Sequence, residues 1–166
     1  MRAFALGGGG AKGALQVGAL RALLEAGLQP DLVVGTSIGA ANAAFLAAHH
    51  FSYEAVEELA GVWREMAANN PLPDNYVWLT IRALFNRPGL NVQDQIREIF
   101  LKHGLSPDLR FGDLQGPRLI LVAADLRAGC AALYGMDPDE AVLNGVLAST
   151  AIPPGCALWI RTVACS

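Results

Sequence analysis

Charge is scarce in this chain. Asp, Glu, Lys and Arg make up 16% of its 166 residues, and the twelve Lys and Arg are scattered. Binding a polyphosphate needs clustered cations, so a net charge of -3 and a pI near 5.5 exclude nucleic acid as the partner. Cysteine is equally sparse. Cys130, Cys156 and Cys165 are odd in number and show no CxxC spacing, so they read as small apolar or incidental residues, and no metal or other cofactor is implied. A long apolar run is lacking too. The uncharged stretch Leu32 to His50 is interrupted by Gly35, Thr36, Ser37, Gly39 and Asn42, which reads as strand, turn and small-residue helix and not as a bilayer span. The apolar run Ala3 to Leu6 is too short for the core of a signal peptide, and a cytoplasmic protein is expected.

What is present is apolar and small. Hydrophobic residues make up 53% of the chain, 28 of them Ala, with a mean hydropathy of +0.35. Such a composition excludes disorder, and the length fits one domain without linker or repeat, spanning 1–166. Ala3 to Leu6 reads as a buried strand ended by Gly7 to Gly10. Val17, Leu20, Leu23 and Leu24 then recur at helical spacing over Gly13 to Ala26, with Arg21 and Glu25 on the outer face and Gly27 closing the helix. Leu32 to Val34 is a second strand, and Ala40 to Ala48 a second helix. A strand joined through a helix to its neighbour implies parallel pairing, so the fold class is α/β: three layers, with a mostly parallel sheet between helices.

Further along, Ser52 is a plausible N-cap for a helix to about Ala68, with Phe51 placed to staple onto Val56. A helix capped by Asn91 runs to His103 and ends at Gly104. Arg118 to Asp125 and Ala131 to Tyr134 read as strands, and Pro138 to Leu147 as a helix.

Two glycine-rich turns follow the first two strands. In Gly8-Gly9-Gly10-Ala11-Lys12-Gly13 the missing side chains let backbone N–H groups point into a pocket at a helix N-terminus, a geometry that binds an oxyanion. Gly35-Thr36-Ser37-Ile38-Gly39 is a GxSxG elbow, whose flanking glycines permit a sharp turn that pushes the Ser37 hydroxyl into the open as a nucleophile. The alternative for Ser37 is a turn serine capping the next helix. The first loop also matches GxGxxG, yet Gly35-Thr36-Ser37 stands where a ribose-binding acid belongs, and Lys12 is followed by Gly13 where a P-loop has Ser or Thr. Nucleotide binding fails on both counts.

The order and spacing of these two loops resemble the patatin-like phospholipases of bacterial type. Leu121-Val122-Ala123-Ala124-Asp125-Leu126 looks like that family's central strand, and Ala148-Ser149-Thr150-Ala151-Ile152-Pro153 like its small-residue segment ahead of the last catalytic block. The resemblance implies hydrolysis of fatty acyl esters. Ser37 would be the nucleophile, and amides around Gly9 and Gly10 the oxyanion hole, with Gly8, Lys12 and Gly13 completing the loop. It also implies a partner aspartate in an Asp-Gly block after Pro153, and these 166 residues contain no Asp-Gly. The chain therefore reads as C-terminally shortened relative to the family pattern. Without a base a serine hydroxyl is a poor nucleophile at neutral pH, so a lipid-binding domain without turnover stands as the alternative function.

Other candidates for the base are weaker. Asp125 ends the best strand on the edge where α/β sheets place their sites, while the resemblance makes it structural. Asp137 and Asp139 read as caps of the helix to Leu147. Ser37, Asp94 and His103 follow the order of an α/β-hydrolase triad, but such folds place several strands before the elbow and this chain has one. His49 and His50 end a helix, where a cation complements the dipole. Lys12 is either a steering charge for an anionic head group or a solvated loop lysine. Tyr76 to Leu90 is either an interfacial flap in transient contact with a membrane surface or, more commonly for such a stripe, core. A sheet short of its final block would expose apolar surface, which predicts a homodimer or poor solubility.

Overall fold

The computed structural model describes residues 1–69, 92–103 and 105–151. In chain order the elements are β1 (Ala3–Leu6), α1 (Gly13–Glu25), β2 (Leu32–Thr36), α2 (Ile38–Ala48), α3 (Tyr53–Asn69), α4 (Val92–Lys102), β3 (Arg118–Asp125), β4 (Cys130–Tyr134) and α5 (Val142–Thr150). Two single 3-10 turns, Gly10–Lys12 and Phe111–Asp113, punctuate the loops. The sheet has the order β1-β2-β3-β4; β1, β2 and β3 are parallel and β4 returns antiparallel on β3. The expected α/β class with a mostly parallel sheet is what forms.

Alternation along the strands decides where the core sits. Leu6, Val33, Leu119, Leu121 and Tyr134 are buried and share one face, set by the pairs Val33 with Leu119 and Leu121 with Tyr134. Helices α2 and α5 cover that face, α5 approaching so closely at Gly145 that a β-carbon there would lie 2.9 Å from the Tyr134 β-carbon. On the opposite face Leu32, Val34, Ile120 and Val122 are half-buried.

Helix α2 is apolar on every side except at Asn42 and is buried without interruption from Gly39 to Ala47, as a helix must be when a sheet lies on one side and other helices on the other. Helices α1 and α3 pack over it. Helix α1 contributes Val17, Leu20 and Leu24, presents the Arg21–Glu25 pair to solvent at 3.0 Å, and ends at Gly27. There φ is +71°, and the N–H groups of Gly27 and Leu28 donate to the Leu24 and Leu23 carbonyls, a Schellman closure. At the start of α3 the Ser52 hydroxyl accepts the Ala55 N–H at 3.1 Å, and Phe51 and Val56 are both fully buried. None of the described helices is long and apolar enough to cross a membrane.

Two expectations need correction. The last helix begins at Val142 and not at Pro138, because residues 110 to 112 hold the preceding segment. Phe111 and Gly112 donate N–H groups to the Glu140 and Pro138 carbonyls, and Arg110 forms a bridge with Ala141. Asp137 accordingly caps no helix: its carboxylate accepts the Asp139 N–H within the turn. The second correction concerns Cys130, which opens β4 as a disulfide-bonded residue and is not incidental. The Tyr76 to Leu90 stripe, Asn91, Gly104 and the segment from Ile152 onward lie outside the described residues.

Gly39 sits where α2 meets the end of β1, and a β-carbon there would collide with the Leu6 carbonyl and stand 2.7 Å from the Gly7 oxygen. Gly39→Ala gains about 1 kcal/mol of helix propensity and forces an overpacking cost of about 1–3 kcal/mol or more against backbone that cannot yield. The expected outcome is a lower urea midpoint. Gly18→Ala in the exposed face of α1, where the added carbon meets nothing within 4 Å, should raise the midpoint by adding up to about 1 kcal/mol of unfolding free energy. Equal midpoints for the two variants would show that the approach of α2 to β1 is not tight.

Candidate active site

Strand β2 ends at Thr36, and the chain turns at Ser37 with φ 54° and ψ -124°, on the side of the backbone map that non-glycine residues avoid. A conformation of this kind costs roughly 1–3 kcal/mol and persists where the surroundings over-determine it. Here the flanking glycines make it possible. A β-carbon at Gly35 would lie 2.7 Å from the Ala40 Cα, so only glycine lets α2 fold back this tightly over the strand it leaves. The Ser37 carbonyl then accepts the N–H groups of Ala40 and Ala41 at 2.9 and 3.2 Å and starts the helix. The Ser37 side chain is left half-exposed at the helix N-terminus.

The glycine-rich loop comes to the same place from β1. Because Leu6 pairs with Gly35, the two strands end side by side on the carboxyl edge of the sheet. Gly7 to Gly10 are exposed, Gly10 has φ +56°, and the Gly10–Lys12 turn runs directly into α1. A β-carbon at Gly8 would lie 3.2 Å from the Ser37 β-carbon and 3.8 Å from Ser37 Oγ. Gly8 therefore lies against the serine, and α1 and α2 both start from the loops that leave this edge of the sheet, with the positive ends of their dipoles there. Lys12 is exposed and its N–H donates to the Gly9 carbonyl at 3.2 Å.

A polar network holds the loop by both ends. Asn42 is 2% exposed, the one polar residue on the Ala-rich body of α2. Its Nδ2 donates to the Gly13 carbonyl at 3.0 Å and to Gln16 Oε1 at 2.9 Å, and its Oδ1 accepts Trp63 Nε1–H at 3.1 Å. Gln16 in turn donates to the Gly7 carbonyl at 2.7 Å. The helix that carries the elbow thus grips residues 7 and 13, the two ends of the loop. Sequence reading passed over Gln16 and Trp63 and treated Asn42 only as an interruption. The available signal was an amide alone in an apolar helix, which cannot be buried without partners.

The remaining candidates lie elsewhere or are already engaged. Asp125 Oδ1 accepts the N–H groups of Arg127 and Ala128, both at 2.9 Å, and so closes the β3–β4 turn. His49 stacks on Phe45 with centroids 4.6 Å apart, its Nε2 is 3.3 Å from the His103 carbonyl, and Glu58 is 3.8 Å from its Nδ1. His103 sits edge-on to Phe45 with Glu65 beside it. Both rings are at the far end of α2 from Ser37, which separates His103 from the serine. The Asp94 side chain lies outside the described residues. The perturbed titrating groups are also remote. Hydrogen bonds from Arg21 and Tyr53 hold Glu25 below the usual carboxylate range, and Lys102 does the same to Glu65. Among the described residues no cluster of His, Cys, Asp or Glu is arranged to hold a metal ion.

A parallel sheet whose first two strand ends carry a glycine loop and a positive-φ serine matches a known family. The model of the patatin-like phospholipases covers residues 4–160, and the chain belongs to that family. The Bacillus subtilis protein YqhO is 34% identical over 160 residues, covering 88% of this chain and 54% of its own length. Rat patatin-like phospholipase domain-containing protein 7 is 33% identical over 158 residues, covering 93% of this chain and 11% of its own. The chain thus spans about half the length of the first relative and a small part of the second. Among solved structures, the type III effector protein ExoU superposes with a TM-score of 0.52 at 20% identity over 91% of this chain and 40% of its own, a likeness of fold.

Replacing Asn42 by Ala removes a buried donor from the Gly13 carbonyl and unties the half-buried Gln16 and Trp63, and a buried polar group left without its partner costs about 1–3 kcal/mol. Asn42→Ala should lower the unfolding free energy by about 2–3 kcal/mol and speed tryptic cleavage after the exposed Lys12. Unchanged stability with an unchanged cleavage rate would show that the amide does not hold the loop.

Proposed function

We propose that this chain is a single patatin-like domain acting as a serine-dependent lipid acyl hydrolase, with Ser37 as nucleophile and the glycine-loop amides as oxyanion donors. The observation that carries the reading is the approach of Gly8 to Ser37 Oγ across the shared ends of β1 and β2. Ser37 Oγ attacks the carbonyl carbon of an acyl ester, and the carbonyl oxygen becomes an oxyanion facing the N–H groups around Gly8, Gly9 and Gly10. Collapse expels the alcohol with a proton and leaves acyl-Ser37, which water then cleaves. Preorganised donors of this kind contribute ~3 kcal/mol each to the transition state, since they need no reorganisation as charge develops. Lys12 and Gly13 complete the loop, and Gly35, Thr36, Ile38 and Gly39 shape the elbow. Lipid at a membrane surface is the proposed substrate. Beside the cleft, Lys12 offers a cation to its head groups, and Leu15, 75% exposed on the first turn of α1, an apolar contact.

A second reading is a lipid-binding domain without turnover. It is favoured by the engagement of Asp125 in its turn, which leaves the general base unassigned among the described residues. Loss of one triad member still leaves catalysis about 10³–10⁴-fold over water in well-studied hydrolases, so labelling and turnover can separate. A fluorophosphonate probe should modify the chain at Ser37 and leave Ser37→Ala untouched. Steady hydrolysis of p-nitrophenyl esters that Ser37→Ala abolishes supports the enzyme, whereas labelling without turnover supports the binding domain. A well-folded chain that takes no label loses the nucleophile assignment.

A further inference from the structure

We infer that Ser149, at the end of α5, is a positioning residue that pins the elbow and withdraws the Ser37 N–H from the cleft. The inference rests on the acyl-transfer reading of Ser37 for its kinetic consequence, and on geometry alone for its structural one. The Ser37 N–H donates to Ser149 Oγ at 2.7 Å, and Ser149 Oγ donates to the Val122 carbonyl at 2.6 Å. A serine hydroxyl has one proton to give. With that proton directed at Val122, the oxygen faces Ser37 only as an acceptor, so the direction of the relay is fixed.

The neighbouring residue shows that this is not the default behaviour of a helical hydroxyl. Thr150 donates its proton back to the Val146 carbonyl at 2.8 Å, the usual satisfaction of a hydroxyl within its own helix. Ser149 leaves its helix and bridges two others of the fold's elements. The place it fills follows from the register. Thr36 opposite Val122 is the last pair between β2 and β3, because the chain turns away at Ser37. Beyond that pair β3 has lost its neighbour on the β2 side while β4 still pairs with it on the other, and the Ser149 hydroxyl takes up the Val122 carbonyl and the Ser37 amide.

Two consequences follow. The positive φ at Ser37 is held from the β3 side as well as by the helix it starts, so the hydroxyl stays aimed at the glycine loop. The amide of the nucleophile is already satisfied outside the cleft, so a developing oxyanion draws its donors from the glycine loop and not from Ser37 itself.

The isosteric pair Ser149→Thr and Ser149→Val separates the hydroxyl from its bulk. Fluorophosphonate labelling of Ser37→Ala-sensitive sites and hydrogen exchange of the Ser37 amide are read side by side on the whole chain. Ser149→Thr should label within about twofold of the unmodified chain, while Ser149→Val should show a saturating labelling rate at least about tenfold lower with unchanged half-saturation, and Ser37 amide exchange at least about tenfold faster. Equal rates and equal protection in the two variants overturn the inference. If the unmodified chain takes no label, the acyl-transfer reading fails, and the exchange arm still decides the role of Ser149. If neither variant folds, the unmodified chain decides: a Ser37 amide that exchanges as fast as an exposed loop amide overturns the relay.

Discussion

Helix α2 lies so close to the end of β1 that no side chain fits at Gly39 beside the Leu6 carbonyl, nor at Gly35 beside Ala40. That approach is the constraint on which the rest of the molecule depends. It forces the chain to reverse within one residue at Ser37, and it brings the N-terminus of α2 level with the loop leaving β1. It also explains the composition of α2. Ala40, Ala41, Ala43, Ala44 and Ala47 are all buried on a helix with neighbours on every side, and larger residues would lift it from the sheet. The run of alanines in α2 thus follows from the depth at which this helix is set.

Depth creates a polar problem that the structure solves with few groups. The strained Ser37 backbone, roughly 1–3 kcal/mol above an unstrained turn, is tolerable because each flank is tied to a different layer. Asn42 binds the loop and α1 through Gly13 and Gln16, and accepts a hydrogen bond from the Trp63 indole N–H on α3. Ser149 ties the elbow to β3. In surroundings of low dielectric such bonds are strong and their absence costly, so a small satisfied network can fix two loops that hydrophobic packing alone would leave adjustable.

Much of this was legible from residue order. The strand of Ala3 to Leu6, an edge strand in which only Leu6 is buried where a buried strand was expected, the Val17–Leu20–Leu24 stripe, the Ser52 cap and the strand from Arg118 to Asp125 all follow from local periodicity and capping chemistry, and both glycine turns follow from the backbone freedom they require. What stayed hidden depends on partners distant in sequence. Ser149 is separated from Ser37 by 112 residues, and nothing in its neighbours distinguishes it from Thr150, whose hydroxyl turns inward to its own helix. The late start of α5 arises from pairing with residues 110 to 112, a contact no window around Pro138 contains.

The topology also explains why β3 does not extend the site as β1 and β2 do. Three parallel strands deliver their carboxyl ends to one edge, and the first two leave that edge through turns into helices, which present N–H groups and positive dipole ends. The third leaves through a hairpin. A hairpin turn must satisfy its own N–H groups, and Asp125, standing where a site carboxylate would stand, accepts those of Arg127 and Ala128. The central strand instead serves the site through a backbone atom, the Val122 carbonyl, to which Ser149 anchors the elbow. Ser37 and the glycine loop therefore belong to the βα units, and the strand beside them acts as the fixed reference against which both are aligned.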